Sequence, residues 1–329
     1  MTWTLLHARL HQTLRQRHLL ARGSRALVAV SGGQDSLCLL KLLLDLQPQW
    51  NWHLAIAHCN HRWSVDAGLA EWVQQIAQQW QLPFYLAAES VAETEAAARE
   101  WRYQALAQLA ADNGFAAVVT GHTKSDRAET LLYNLVRGSG ADGLQALTWQ
   151  RSLTEQVIVV RPLLTVSRTE TLEFCRQFQL PVWEDAANQN LKYARNRIRA
   201  ELLPYLQRHF NPQVETALAQ TAELLRADVE YLETTAQALL QQVRSPLGLN
   251  RLRLRDVPLA LQRRVVRQFL HQVLPQAPNF EEIESVTNLI QAPNRTRTSS
   301  LSGGASAEAQ GDWIIFNQQL TVNNKQSDR

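Results

Sequence analysis

The chain is poor in cysteine, and its three cysteines lie far apart. Cys38, Cys59 and Cys175 form no CxxC pair in the 329 residues. An odd, scattered set argues against a disulfide framework and against a zinc site, and it favours a reducing, cytoplasmic compartment. No apolar run approaches the ~18 residues of a membrane span, so we expect no contact with a membrane.

Lysine is also scarce, because only four of the 33 basic residues are lysine and 29 are arginine. The planar guanidinium of arginine suits contacts with phosphates and bases. Biased genome composition is an alternative explanation of the surplus as a whole, and the net charge is only +3. Clusters of arginine are therefore more informative than their total number. No acidic residue precedes Asp35, but the leucine spacing in residues 1–25 favours a helix packed on the domain over a transit peptide.

Residues 26–44 combine a strand, a glycine turn and a helix. An apolar run at 26–30 has strand length, and 37–44 is typical of a buried helix. Glycines let the backbone approach a ligand closely, and a helix N-terminus favours anions. The segment between the predicted strand and the predicted helix therefore indicates a phosphate site, and an N-capping turn is the alternative. Its residues are Ser31, Gly32, Gly33, Gln34, Asp35 and Ser36. No Walker sequence occurs in the chain.

Alternating strand and helix patterns predict an α/β fold with a parallel sheet covered by helices on both faces. Further strands are predicted at 53–58, 83–86, 116–120 and 157–160, and helices at 66–80, 93–112 and 125–137. The length suffices for two domains. We predict a catalytic domain at 1–211, a helical linker at 212–243 and a small α+β domain at 244–329. The last part contains predicted helices at 258–270 and 281–290 and a strand at 311–322.

Polar side chains follow the predicted strands, where ligands bind in parallel sheets. His58 and His61 follow the second strand, and His122 follows the fourth. Asp126 and Glu129 lie three residues apart on the next helix, which suits Mg²⁺ or an amine. The alternative for this pair is favourable acidic residues in a first helical turn.

Two basic clusters predict contact with a phosphate backbone, with solvated helix faces as the alternative. One contains Arg195, Arg197 and Arg199, and the other includes Arg263 and Arg264. For the second cluster, a packing or homodimer interface is the other reading. Two glycine segments are not nucleotide sites: 138–143 follows a helix and suits a flexible loop, and 302–307 is predicted to be a hairpin turn.

The sequence SGGQDS at 31–36 resembles the signature of the PP-loop, or N-type ATP pyrophosphatase, superfamily. The ordered set HCNHR, AREWRY, TGHTKSDRAET, RGSG, RPLL and YARNRIR narrows the resemblance to the tRNA(Ile)-lysidine synthetases. It covers residues 26–204. Three positions depart from the family pattern: Trp63 replaces a leucine, Ser125 an aspartate and Arg127 a glutamine.

The resemblance implies ATP bound at residues 31–36 with help from His58 and His122, and Mg²⁺ held by Asp35 and Asp126. It also implies that Arg102 and Glu129 organise the substrate and free lysine. The implied reaction adenylates the wobble cytidine of tRNA(Ile) with a CAU anticodon, and lysine then displaces AMP to give lysidine. Two alternatives stay open. A tRNA thiolase of the same superfamily would need reactive cysteines, and a non-catalytic tRNA-binding protein would release no pyrophosphate.

Overall fold

The structure is a computed structural model that describes residues 3–63, 67–92, 94–183, 191–246 and 248–317. The chain divides into two compact units, Met1–Arg226 and Ala227–Arg329. The boundary falls inside a helix that spans Val214–Val243, close to the helix predicted at 213–243. The distal part of the strand predicted at 311–322 lies outside the described residues.

The first unit contains a sheet with helices between its strands. Its strands are β1 (Arg25–Ala29), β2 (His53–Asn60), β3 (Phe84–Ala88), β4 (Ala117–Thr120), β5 (Gln150–Ser152) and β6 (Ile158–Val160). Its helices are α1 (Leu5–Gln16), α2 (Gln34–Trp50), α3 (Leu69–Gln79), α4 (Glu95–Asp112), α5 (Lys124–Val136), α6 (Ala141–Leu144), α7 (Arg168–Gln177), α8 (Ala194–Arg197) and α9 (Leu203–His209), and α10 (Val214–Val243) begins in it. A π-helical turn at Ile198–Leu202 joins α8 to α9.

The strand order is β3-β2-β1-β4-β6-β5, and all neighbours pair in parallel except β5 and β6. The predicted parallel sheet is therefore confirmed, and the antiparallel edge strand β5 was not anticipated. Its three residues are all exposed, so the strand lacks the apolar pattern by which the others were recognised.

Apolar residues on both faces bury the central strand. Val28 packs in a core that α1, α2, α3 and α7 share, and Leu27 packs on the opposite face against α4. Both side chains have no exposed surface. Burial on two faces explains why the strand is a continuous apolar run instead of an alternating one.

The second unit contains a four-stranded antiparallel sheet in the order β7-β8-β10-β9. Its elements after α10 are β7 (Arg244–Ser245), β8 (Gly248–Asn250), α11 (Arg251–Arg255), α12 (Leu259–Val273), α13 (Phe280–Asn288), β9 (Ser306–Gln310) and β10 (Trp313–Asn317). Its α+β character was predicted, but the strands β7, β8 and β9 were not.

The hairpin turn predicted at 302–307 is confirmed, because Arg297 and Glu308 form an antiparallel bridge and the N–H of Leu301 donates to the carbonyl of Ala305 at 2.8 Å. Residues Ser302–Gly304 form a 3-10 turn before β9, and the turn between β9 and β10 contains Gly311, at φ +57°. A Cβ atom on Gly303 would lie 2.8 Å from Cγ of Pro275. The glycine there makes room for a neighbouring proline, which a sequence pattern does not reveal.

Candidate active site

The loop between β1 and α2 lies at the carboxyl end of the sheet. Gly32 adopts φ +85°, and a Cβ there would lie 2.7 Å from Cδ1 of Leu69. Gly33 precedes the first turn of α2, and no side chain caps it. The Ser36 hydroxyl donates to the carbonyl of Gly33 at 2.9 Å. The first turn of the helix therefore presents uncapped backbone N–H groups, as an anion requires.

A second loop packs directly on that helix turn. Gly121 follows β4, and a Cβ atom there would lie 2.8 Å from the carbonyl oxygen of Asp35. Only glycine allows this approach without movement of the backbone. The contact brings α5, which carries Asp126 and Glu129, next to the loop at residues 31–36.

Two carboxylates share one guanidinium at this junction. Nε of Arg168 lies 3.2 Å from Asp35, and its Nη2 lies 3.2 Å from Asp126. Thr171, one turn further along α7, donates its hydroxyl to Asp35. Backbone and hydroxyl groups of Thr123 both donate to Asp126 at 2.7 Å. The predicted metal ligands are thus brought together, with an arginine between them.

Their environments separate the pKa values of the two carboxyl groups. Burial raises the pKa of Asp35 to about 6, with the charge of Asp126 as a further cause and Arg168 opposing. Burial also acts on Asp126, but Arg168, His122 and the Thr123 hydrogen bonds outweigh it and lower its pKa. Asp126 is therefore ionised over a wider pH range than Asp35, which takes up a proton already near pH 6.

His58 and His122 flank the loops as neutral imidazoles. Nδ1 of His58 donates to the carbonyl of Val30 at 2.8 Å, since a carbonyl can only accept. Its Nε2 is buried without a partner among the described residues. Burial lowers the pKa of both histidines, that of His122 to about 3. The unpartnered Nε2 can accept a hydrogen bond from a ligand.

His61 and Arg102 meet at the end of β2. Nη2 of Arg102 lies 3.3 Å from Nε2 of His61. The His61 ring stacks on Trp63, with centroids 5.0 Å apart, and meets the edge of Trp101 at 5.1 Å. Burial and Arg102 lower the pKa of His61 to about 4. A flat aromatic surface beside an arginine suits an unstacked base.

Glu129 is buried and already paired. Its carboxylate accepts from Nε and Nη2 of Arg199, at 2.7 and 2.8 Å, in a bidentate arrangement. Only 2 % of the side chain is exposed. Burial raises the pKa of Glu129, and Arg199 opposes the shift. The predicted lysine contact and one predicted tRNA contact thus form a single ion pair.

The other basic residues differ in pairing. Arg197 is exposed at the end of α8, and Arg195 lies over the Tyr133 ring at 5.8 Å. In the second unit Arg263 pairs with both oxygens of Glu284 at 2.6 and 2.7 Å, and Arg264 pairs with Glu233. Contact of these residues with tRNA stays a prediction.

The comparisons with known proteins agree with this geometry. Residues 4–206 match the family described as a PP-loop domain, and residues 249–308 match the TilS substrate binding domain. A tRNA(Ile)-lysidine synthase from Nostoc sp. is 60% identical over 96% of this chain and 98% of its own. One from Synechocystis sp. is 56% identical over the same shares. The chain belongs to the tRNA(Ile)-lysidine synthase family.

A solved structure outside this synthase family has a similar fold. A solved U34-tRNA thiolase from Methanococcus maripaludis has a TM-score of 0.56, at 16% identity, over 67% of this chain and 77% of that chain. At this identity the likeness concerns the fold alone.

Two departures from the synthase pattern have structural partners. Ser125 donates to Glu215 of α10 at 2.8 Å and accepts from the backbone N–H of Arg168. Arg127, with 2 % of its surface exposed, donates to Glu223 at 2.8 Å. Both residues therefore anchor the start of α10 to α5. Asp126 and Glu129, by contrast, keep their places in the synthase pattern.

Sequence reasoning missed Arg168 and Thr171. Neither belongs to the motifs quoted above, although a signal was present. Ser167 and Glu170 form a capping box at the start of α7, a pattern that predicts a helix N-terminus after RPLL. A helix that begins there brings Arg168 to the carboxyl end of the sheet, beside the phosphate loop.

Proposed function

We propose that the chain is an ATP-dependent ligase that joins free lysine to the wobble cytidine of tRNA(Ile) with a CAU anticodon. The product is lysidine, and the changed anticodon reads AUA instead of AUG. One observation carries the proposal. Both family domains occur in order, in a chain that matches tRNA(Ile)-lysidine synthases over nearly the full length of each.

The loop at residues 31–36 suits the phosphates of ATP. Backbone N–H groups at the start of α2 and the Ser31 hydroxyl offer donors to phosphate oxygens. His58 keeps an acceptor, Nε2, buried next to the loop, which suits a hydroxyl or amino group of the nucleotide and not a phosphate oxygen. The side chain of Gln34 bonds to the Arg168 carbonyl and to Thr171, so it fixes α7 against the loop.

Asp35 and Asp126 fit a magnesium ion, because the two carboxylates converge at one edge of the sheet, where the guanidinium of Arg168 lies 3.2 Å from each. Mg²⁺ would neutralise charge on the pyrophosphate as it leaves. Groups of three or more His, Cys, Asp or Glu side chains able to hold a metal do not occur within the described ranges.

The cytidine oxygen attacks the α-phosphate of ATP and pyrophosphate leaves. The ε-amino group of lysine then attacks the activated ring carbon, and AMP leaves with the oxygen. Arg102 is our candidate for holding the cytidine, beside the aromatic surface of His61 and Trp63. Glu129 is our candidate for the lysine, since a buried carboxylate recognises a cation.

The cysteines argue against the thiolase alternative. Cys38 and Cys175 are buried and Cys59 is half-buried. Burial raises the pKa of all three thiols, that of Cys59 to about 11 and that of Cys175 to about 12. At such pKa values the thiolate, which is the nucleophilic form, is scarce at neutral pH. Sulfur transfer therefore lacks a reactive group among these side chains.

The proposed parts of the chain are a catalytic domain at 1–211, a linker at 212–243 and a tRNA-binding domain at 244–329. The tRNA contacts proposed for these parts involve Arg195, Arg197, Arg199, Arg263 and Arg264. A homodimer is the alternative use of the second unit. Among the described helices, none is both long and apolar enough to cross a membrane.

Lysine incorporation into tRNA tests the function directly. We would incubate the protein with ATP, labelled lysine and CAU-anticodon tRNA(Ile), and measure both lysine incorporation and pyrophosphate release. Incorporation that requires ATP and is lost in Asp35→Ala supports the proposal. Pyrophosphate release without incorporation would leave the superfamily and reject lysine as substrate. Binding of tRNA with neither signal would favour the non-catalytic alternative.

A further inference from the structure

A cavity of about 640 Å³ lies between α4 and the β5 edge, and none of the residues assigned above lines it. Arg99, Tyr103 and Arg151 are among the residues that line it. The guanidinium of Arg99 lies 5.1 Å from the Tyr103 ring centroid, and that of Arg151 lies 4.6 Å from it. Two cations therefore converge on one aromatic ring.

A third guanidinium lies behind that ring. Arg161, with 1 % of its surface exposed, donates to the Tyr103 hydroxyl at 3.3 Å and to the Thr148 carbonyl at 2.7 Å. Its Nε is buried without a partner among the described residues. Buried charges in proteins are normally paired, so an unpaired one needs another explanation.

None of these three arginines is in an ion pair with a described carboxylate. Glu100 is the acidic residue among those that line the cavity, and it accepts from Gln104 at 3.5 Å. Burial and the neighbouring cations Arg195, Arg161 and Arg102 lower the pKa of Arg99. Three cations and one carboxylate therefore lie at this cavity, and within the described residues none of the three arginines is paired with a carboxylate.

The cluster starts at the edge of the sheet where the proposed catalytic site lies. Arg161 directly follows β6, at the carboxyl end of the parallel strands. Arg161, Arg99 and Arg102 also lie close enough to His122 to lower its pKa, after the larger effect of burial. The cavity continues along α4 as far as Ala111. It is therefore placed to contact a polymer whose chain extends away from the proposed catalytic site.

We propose that Arg99, Tyr103 and Arg151 bind phosphate groups of the RNA backbone next to the modified cytidine. Arginine forks match phosphate oxygens, and a tyrosine ring beside arginine is a common platform for single-stranded nucleic acid. The inference rests on the proposed function, because it takes tRNA as the polymer. Free phosphate has the same chemistry and is the other source of such a ligand.

Binding of tRNA over a range of salt concentrations tests the inference. Arg151→Gln should weaken binding of CAU-anticodon tRNA(Ile) about tenfold and lower the slope of log affinity against log salt by about 1. Arg99→Gln should behave alike, and Arg151→Lys should keep most of the slope. An unrelated tRNA should lose affinity by the same factor, because a backbone contact carries no sequence information.

Arg22→Gln is the matched control. Arg22 is an exposed arginine before β1, at the opposite edge of the same sheet, and its loss should change neither affinity nor slope. Arg151 is exposed on a three-residue edge strand, so its replacement should leave the fold intact, which thermal unfolding checks. ATP binding should also be unchanged in every variant.

The outcomes distinguish RNA-backbone binding at this cluster from small-anion binding, and both from failure of the proposed function. If wild type binds tRNA but both glutamine variants bind equally well with an unchanged slope, the inference is wrong and the proposed function stands. If inorganic phosphate stabilises wild type against heat but not Arg151→Gln, while tRNA binding is unchanged, the cluster is a site for small anions only. If wild type binds no tRNA, the proposed function itself fails.

Discussion

Removing Arg199 should destabilise the first unit strongly, and more at high pH. Glu129 has 2 % of its side chain exposed and receives two short hydrogen bonds from this arginine. In Arg199→Ala the carboxylate stays buried without its cation. Breaking such a pair costs about 3 kcal/mol, at the lower end of the usual range because 26% of the Arg199 side chain is exposed. For a unit of this size, the melting temperature should fall by about 6–12 °C.

The pH dependence follows from the direction of the Glu129 pKa. Burial already raises it above the ordinary value, and loss of Arg199 raises it further. A protonated carboxyl needs no cation, so the variant should lose little stability at pH 5. As pH rises through the folded-state pKa, ionisation becomes unfavourable in the fold and the loss grows. Thermal unfolding at pH 5 and pH 8 measures the difference.

Arg197→Ala is the control for this prediction. It removes the same charge two residues away, from an exposed position, and should change stability by at most about 0.5 kcal/mol. The double variant Glu129→Leu with Arg199→Ala should recover much of the stability, because no buried charge remains. If Arg199→Ala and Arg197→Ala have the same melting temperature at pH 8, the reasoning is refuted.

Three further predictions concern the loops, the metal and the cysteines. Gly121→Ala should weaken ATP binding at least tenfold, because its Cβ would lie 2.8 Å from the Asp35 carbonyl oxygen. Gly140→Ala is the control and should not weaken binding, because the space around Gly140 is open. Calorimetry with ATP compares the two variants. Mg²⁺ should bind about tenfold more weakly for each pH unit below 6, since protons compete for Asp35, whose pKa is about 6. Titration with Mg²⁺ between pH 5 and 8 checks this, and a flat profile would exclude Asp35 as a ligand. A variant with all three cysteines replaced by alanine should keep its lysine incorporation per folded molecule, and loss of the reaction would revive the thiolase reading.

The sheet was predictable because its central strands are buried on both faces. Continuous apolar runs at β1, β2, β4 and β6 mark them directly in the sequence. The edge strand β5 and the two-residue β7 were not predictable, since pairing with a neighbour defines them and their side chains are exposed or half-buried. Helix α7 was missed although its capping box was visible.

The site was predictable only as a set of positions. The strand-end rule placed Asp35, His58 and Asp126 at one edge, and the structure has them there. It gave no information on Arg168, which lies more than 130 residues from Asp35 in the chain and joins the site through tertiary packing. Nor did it anticipate the arginine cluster at Tyr103, because Arg151 reaches that ring from the strand that was missed.

The ion pairs between the site carboxylates and arginines cannot be inferred from residue spacing. They decide how a substitution at the carboxyl edge of the sheet should be interpreted. Asp126 and Glu129 lie close together, within 4 Å of Arg199, but each is already bound to an arginine from a later segment. Arg199 occupies both oxygens of Glu129, so an incoming lysine ammonium must share or displace it. Loss of activity in Glu129→Gln would therefore mix lost lysine recognition with a released Arg199. The KM for lysine in Arg199→Lys separates them, since the shorter donor keeps the charge and loses the bidentate fork. A lower KM with an unchanged affinity for tRNA would show that Arg199 competes with lysine for Glu129.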